Sequence, residues 1–249
     1  MDDKDSLAAR LTQAILYGKS PTQEIDTGST RSHMYVSEVS NCIRRTYYHL
    51  TGTSADDDAP EDGPFSFIMQ YGNMFEDLIS ERFAQIGIPR AKLRRGNGKL
   101  NLSGETDPII KFEDKYIITE CKATHRDNFV KIISQLTRFN EYPEKYYDQL
   151  QTYLWLTPKA DLGMIIIGNR DMRPKDRTPP FIIIPIERSI EWKTKNFNRL
   201  KTLNESLDKG IPPNREFTPR DLECKVCPFF KPCYDGVDFG ATESDSEDY

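Results

Sequence analysis

The chain has 249 residues, 37% apolar and 29% charged, and a formal net charge of −5. That length buries a core without disulfide staples, and no apolar run approaches the roughly 20 residues of a bilayer span. The start Met1-Asp-Asp-Lys-Asp5 has neither the basic stretch nor the apolar stretch of a secretory signal, so the expectation is a cytosolic protein with no membrane partner. The negative charge is uneven. The tail from 235 carries six acidic groups and no basic one, and residues 56–62 carry five more; without these eleven the rest is about +6. A modestly basic body with acidic appendages is compatible with a phosphate backbone, and equally with a solvated mixed surface.

Taken in chain order, Leu7, Leu11, Ala14 and Ile15 predict a short amphipathic helix over 5–18, followed by a Gly/Ser/Thr-rich loop to residue 32. A second helix is expected from Ser37, which would cap it, carrying Val39, Ile43 and Tyr47 with Cys42 beside them. The acidic stretch 54–63 reads as solvent loop. Phe65 to Ile86 reads as a long helix with apolar residues every three or four positions, and Gly72 inside it marks close packing or a bend. Asn97-Gly98 signals a hairpin turn. The segments 100–102, 108–112 and 116–121 read as strands, then 126–139 and 143–156 as helices. Leu162 to Gly168 and Phe181 to Ile186 read as buried strands, and 189–209 as a last helix stopped by Gly210 and Pro212-Pro213. The predicted class is α/β around a mixed central sheet. The expected organisation is an N-terminal segment 1–63, a core 64–210, a cysteine-bearing segment 211–234 and an acidic tail 235–249.

A hairpin turning at Glu113-Asp114 makes partner positions sum to 227, which sets Asp107 opposite Glu120 at the ends of adjacent strands. Lys122 then shares a face with Glu120. Cys121 points the other way and offers only its main-chain carbonyl. Two carboxylates and an ammonium so placed suit a hard divalent cation beside a water, although spacing alone fits an ordinary cross-strand ion network equally well. Glu76 lies on the long helix just before, and Gln149 and Tyr153 fall on one helix face at i and i+4. Arg94, Arg95 and Lys99 form a candidate group for contacting a nucleic-acid backbone.

Glu76, Ser103-Gly-Glu-Thr-Asp107, Glu120-Cys-Lys122 and Gln149-Leu-Gln-Thr-Tyr153 together resemble the PD-(D/E)XK nuclease superfamily, and within it the RecB-like exonucleases. The resemblance spans about 37 to 234. It implies a restriction-endonuclease-like core in which Asp107 and Glu120, with Glu76, hold Mg2+ or Mn2+, and Lys122 assists the attacking water. It also implies that Gln149 and Tyr153 support the substrate. Thr106 stands where the family pattern has Pro, and Glu76 where many relatives have His.

Five cysteines in a cytosolic chain argue for metal or redox chemistry. Cys224, Cys227 and Cys233 are spaced C-x2-C-x5-C, and Cys42 is the candidate fourth ligand, for zinc or for a 4Fe-4S cluster. The three-plus-one layout leans toward iron-sulfur. This layout resembles the iron-sulfur subgroup of RecB-like nucleases, which includes CRISPR-associated exonucleases and their phage relatives. The resemblance implies a 4Fe-4S cluster clamping the N- and C-terminal segments. It also implies DNA exonuclease activity, usually on single strands, in recombination, repair or processing, with a helicase, recombinase or integrase as possible partner. The competing expectation is a non-catalytic DNA-binding or assembly module with an iron-sulfur or zinc site.

Overall fold

The computed structural model describes residues 32–56, 63–112, 114–171 and 178–234. The helix expected over 5–18, most of the acidic loop and the acidic tail lie outside the described residues. Among those described, no helix is long and apolar enough to cross a membrane.

Five strands form the main sheet in the order β2 (Arg90–Ala91), β5 (Ile109–Phe112), β6 (Lys115–Thr124), β7 (Leu162–Asn169) and β8 (Phe181–Ile186). The β5–β6 pair is antiparallel, with Ile109 opposite Ile118 and Phe112 opposite Lys115, which is the register the Glu113-Asp114 turn predicts. β6 and β7 run parallel over Ile117 to Thr124. A parallel pair needs a long crossover, supplied here by α3 (Arg126–Phe139) and α4 (Glu144–Leu156). The run Ile165-Ile166-Ile167 in β7 is buried throughout, as expected of a strand covered on both faces. On one face, Leu150, Tyr153 and Leu154 of α4 join Ile118, Ile165 and Ile167 in the principal core. On the other, α2 (Gly63–Gln85) packs Ile79, Phe75 and Phe83 onto Cys121 and Ile166.

Three points correct the sequence reading. The helix expected from Ser37 is a 3-10 turn over Val36–Glu38 followed by α1 (Ile43–Leu50). Cys42 adopts an extended ψ of 120° between them, and the Ile43 N–H donates to Glu216 Oε2 at 3.0 Å, a partner 173 residues away. The Asn97-Gly98 hairpin is wider than two residues: Asn97 pairs with Leu102, and the connection holds a 3-10 turn over Gly98–Leu100 and Asn101 at φ 49°. β3 (Arg94–Asn97), β4 (Leu102–Glu105) and β1 (Met34–Tyr35) therefore make a separate small sheet ordered β1-β4-β3. Gly72 marks no close packing, because a Cβ there would meet nothing within 4 Å.

α5 (Ile190–Lys209) is capped by the Ser189 hydroxyl and ends at Gly210, φ 66°, as anticipated. After it the chain returns to α1. The Arg199 guanidinium donates to both oxygens of Glu216 at 2.7 and 2.8 Å, Arg44 to the Pro213 carbonyl at 2.9 Å, and the Tyr48 hydroxyl to the Pro232 carbonyl at 3.0 Å. Two short helices, α6 (Leu222–Lys225) and α7 (Phe230–Tyr234), close the described part of the chain.

Candidate active site

The β5–β6 hairpin carries the predicted constellation. Past the last ladder pair, the Thr119 N–H and hydroxyl donate to the Pro108 carbonyl, and the Cys121 N–H donates to Asp107 Oδ2 at 2.6 Å. This backbone contact pins the Asp107 carboxylate against β6. Glu120 points to the α4 side, is fully buried, and forms an ion pair through Oε1 with the Lys122 ammonium. Its Oε2 has no hydrogen-bond partner. The Cys121 thiol lies on the opposite face against Ile79 and Ile166, as strand alternation requires.

Asp107 and Glu120 are in electrostatic reach of each other and of Glu76. Burial pushes the Asp107 carboxyl up to about 6; Lys122 opposes this and Glu76 adds to it. Burial likewise pushes Glu120 up to about 8, with Lys122 opposing and Asp107 adding. Burial alone would pull the Lys122 ammonium down, but Glu120 and Asp107 outweigh it, and the net direction is upward. A buried carboxylate oxygen without a partner, crowded by like charge, is the environment that a cation relieves.

Glu76, from α2, does not stand free. Lys92 Nζ lies 2.6 Å from its Oε1, and this hydrogen bond raises the lysine. Lys92 sits on the link between β2 and β3, where the sequence offered no signal because its importance follows only from how α2 crosses that link. Thr106 explains the departure from proline at its position: its N–H donates to the Leu93 carbonyl and its hydroxyl accepts from the Leu93 N–H, both at 3.0 Å. Proline would make neither bond.

Tyr153 is buried, and its hydroxyl donates to the Glu105 carbonyl at 2.6 Å, two residues before Asp107. Gly104 makes room for it, since a Cβ there would stand 2.7 Å from that hydroxyl oxygen. Gln149 is half-buried one turn earlier on the same helix face. Tyr146 lies a further turn back, with its ring centroid 6.0 Å from Lys122 Nζ. The three residues of the basic group differ in their surroundings. Arg94 and Lys99 are exposed, while Arg95 donates to the Thr157 hydroxyl at 3.1 Å.

The other four cysteines face a separate pocket. Cys42, Cys224, Cys227 and Cys233 are all free thiols lining one pocket, together with Tyr48, Phe229 and Tyr234. Burial pushes the Cys42, Cys224 and Cys227 thiols up. Among the described residues, no three His, Cys, Asp or Glu side chains are arranged to hold a metal ion, either here or at the carboxylates.

A fold on this plan occurs in a solved exonuclease structure. An alkaline exonuclease (LHK-Exo) from Laribacter hongkongensis shares the fold at 16% sequence identity and a TM-score of 0.50, over 73% of this chain and 90% of that one. A phage-related exonuclease from Haemophilus somnus 129PT aligns at 19% identity and TM-score 0.47, over 67% of this chain and 79% of that one. The protein crystallised as SSO0001 aligns at 19% identity and TM-score 0.44, over 92% of this chain and 94% of that one. No protein-family model and no curated protein matches the chain.

Proposed function

We propose that the chain is a metal-dependent deoxyribonuclease that hydrolyses phosphodiester bonds at the ends of single-stranded DNA. The observation that carries this reading is Glu120, fully buried with Oε2 unpartnered, beside Asp107 and Lys122. The exonuclease-like fold supports it. The side chains of Glu76, Asp107 and Glu120, with the Cys121 carbonyl, would hold Mg2+ or Mn2+. Such an ion supplies Lewis acidity toward the phosphoryl oxygen and lowers the pKa of bound water.

The chain's own residues do the rest. Glu120 and Asp107 both favour the charged form of Lys122, which suits it to donate hydrogen bonds. Its part is to orient the attacking water and to offset charge on the phosphate. Tyr153 fixes the Glu105 carbonyl and with it the approach of Asp107, and Gln149 would steady the DNA strand.

At the second site, four thiols around one pocket match the donor set of a 4Fe-4S cluster. Binding there would add to the hydrogen bonds that already join α1 to the C-terminal segment. The expected result is iron and sulfide at about four each per chain, with Cys42→Ser losing both. Zinc without acid-labile sulfide would instead indicate a zinc site. The nuclease reading is tested by digesting end-labelled single- and double-stranded DNA with anaerobically purified protein, wild type beside Lys122→Ala. A second reading, a DNA-binding or assembly module without turnover, rests on the engagement of Glu76 by Lys92. Failure to digest DNA with added Mn2+ would favour it.

A further inference from the structure

The turn between α3 and α4 presents an aromatic surface that the catalytic constellation does not use. Tyr142 is 38% exposed, yet its ring is stacked on Tyr147 with centroids 5.4 Å apart and planes only 8° from parallel. Tyr147 is itself packed against the principal core. The turn is held at both ends: Asn140 closes α3 at φ 53°, and the Pro143 carbonyl accepts from the Tyr146 and Tyr147 N–H groups, both at 3.0 Å. Tyr142 is thus a flat ring seated on an anchored one, on a turn whose backbone is held at both ends.

The platform is built on the helix that also borders the candidate site. Tyr146, next to Tyr147 in the chain, carries the ring that faces Lys122 at 6.0 Å. The first turn of α4 thus bears one ring beside the lysine and another beneath an exposed stack. The ionisable groups nearest in sequence are Glu141, Glu144 and Lys145, all exposed. Two carboxylates against one ammonium disfavour phosphate as the group recognised there. What the surface fits is the uncharged π-face of a base.

We infer that Tyr142, stacked on Tyr147, is a base-stacking subsite that holds an unpaired nucleobase of the DNA strand entering the site at Lys122. This inference rests on the nuclease reading and adds to it the requirement for an unpaired base near the point of attack. Stacking one base on an aromatic ring is a sequence-tolerant contact that alanine removes. It is also insensitive to salt, unlike a phosphate contact, because it releases no counterions.

The test measures binding of a single-stranded oligodeoxynucleotide carrying 2-aminopurine near one end, in EDTA so that nothing is cleaved. With wild-type protein, the fluorescence of the probe falls on binding. Tyr142→Ala is expected to abolish that quenching and weaken binding about tenfold, by the same factor at 50 and at 200 mM salt, while Tyr142→Phe stays within about twofold of wild type. An oligonucleotide with an abasic site at the probe position should bind wild type as weakly as the intact one binds Tyr142→Ala. Equal affinity and equal quenching for Tyr142→Ala and wild type would overturn the subsite, as would a loss that shrinks with added salt. The two readings fail separately. Lys122-dependent digestion with Tyr142-independent binding removes only the subsite, whereas Tyr142-dependent binding with no digestion in Mn2+ removes only the hydrolase.

Discussion

Replacing Glu120 with glutamine should stabilise the cation-free protein, in an amount that depends on pH. Burial lifts the Glu120 carboxyl from 4.5 in the ordinary state to about 8 in the fold. A raised acid holds its proton in the folded state while the unfolded chain releases it. Stability is therefore lost as pH climbs from 4.5 toward 8, and the loss is complete above the folded value. The interval corresponds to about 4–5 kcal/mol at most. A glutamine amide in the same place leaves a buried donor to be satisfied, at a cost of about 1–2 kcal/mol. The net expectation for Glu120→Gln in EDTA at pH 8 is a gain of about 3 kcal/mol, or roughly 6–12 °C in Tm for a chain of this size. At pH 5 the carboxyl penalty falls to about 1 kcal/mol, so the advantage should vanish or reverse. Mn2+ should stabilise wild type and leave the variant unmoved. Thermal unfolding followed by circular dichroism at the two pH values measures this. A variant less stable than wild type at both would refute the account of a carboxylate strained by burial.

Removing Lys92 takes a positive charge from the edge of the proposed cation site, so Lys92→Met should bind Mn2+ several-fold more tightly than wild type without DNA, by calorimetry. Weaker binding would mean that the lysine mainly holds Glu76 in place. Two glycines should respond oppositely to alanine. Gly72→Ala adds a Cβ into open space in mid-helix and should stabilise by about 0.5–1 kcal/mol. Gly104→Ala drives a Cβ to 2.7 Å from the Tyr153 oxygen and 3.0 Å from Val36, and should destabilise by about 1–3 kcal/mol in urea unfolding.

Why some of this was legible in the sequence is visible in particular residues. The β5–β6 register follows from one tight turn and a period of two, so Asp107, Glu120 and Lys122 were placed together without any distant information, and Cys121 was correctly turned away. The helices over 126–139, 144–156 and 190–209 were legible because each has a strong apolar period, and the last also has a local cap and stop. What escaped depends on partners far along the chain. α1 starts at Ile43 because Glu216 receives its N–H, and Leu100 leaves the expected strand to be buried in the core. Lys92 became part of the site only through Glu76, 16 residues earlier on a different element. Tyr153, expected from the resemblance to support the substrate, is buried in the fold and tied to the approach of Asp107.

The account turns on whether Asp107, Glu120, Glu76 and Lys122 together hydrolyse DNA. The most direct measurement is release of nucleotides from end-labelled single-stranded DNA by wild type and Lys122→Ala in Mn2+, with binding of the same DNA followed in EDTA. The predicted result is digestion by wild type and none by Lys122→Ala, with binding retained by both. Digestion by Lys122→Ala at the wild-type rate would contradict it.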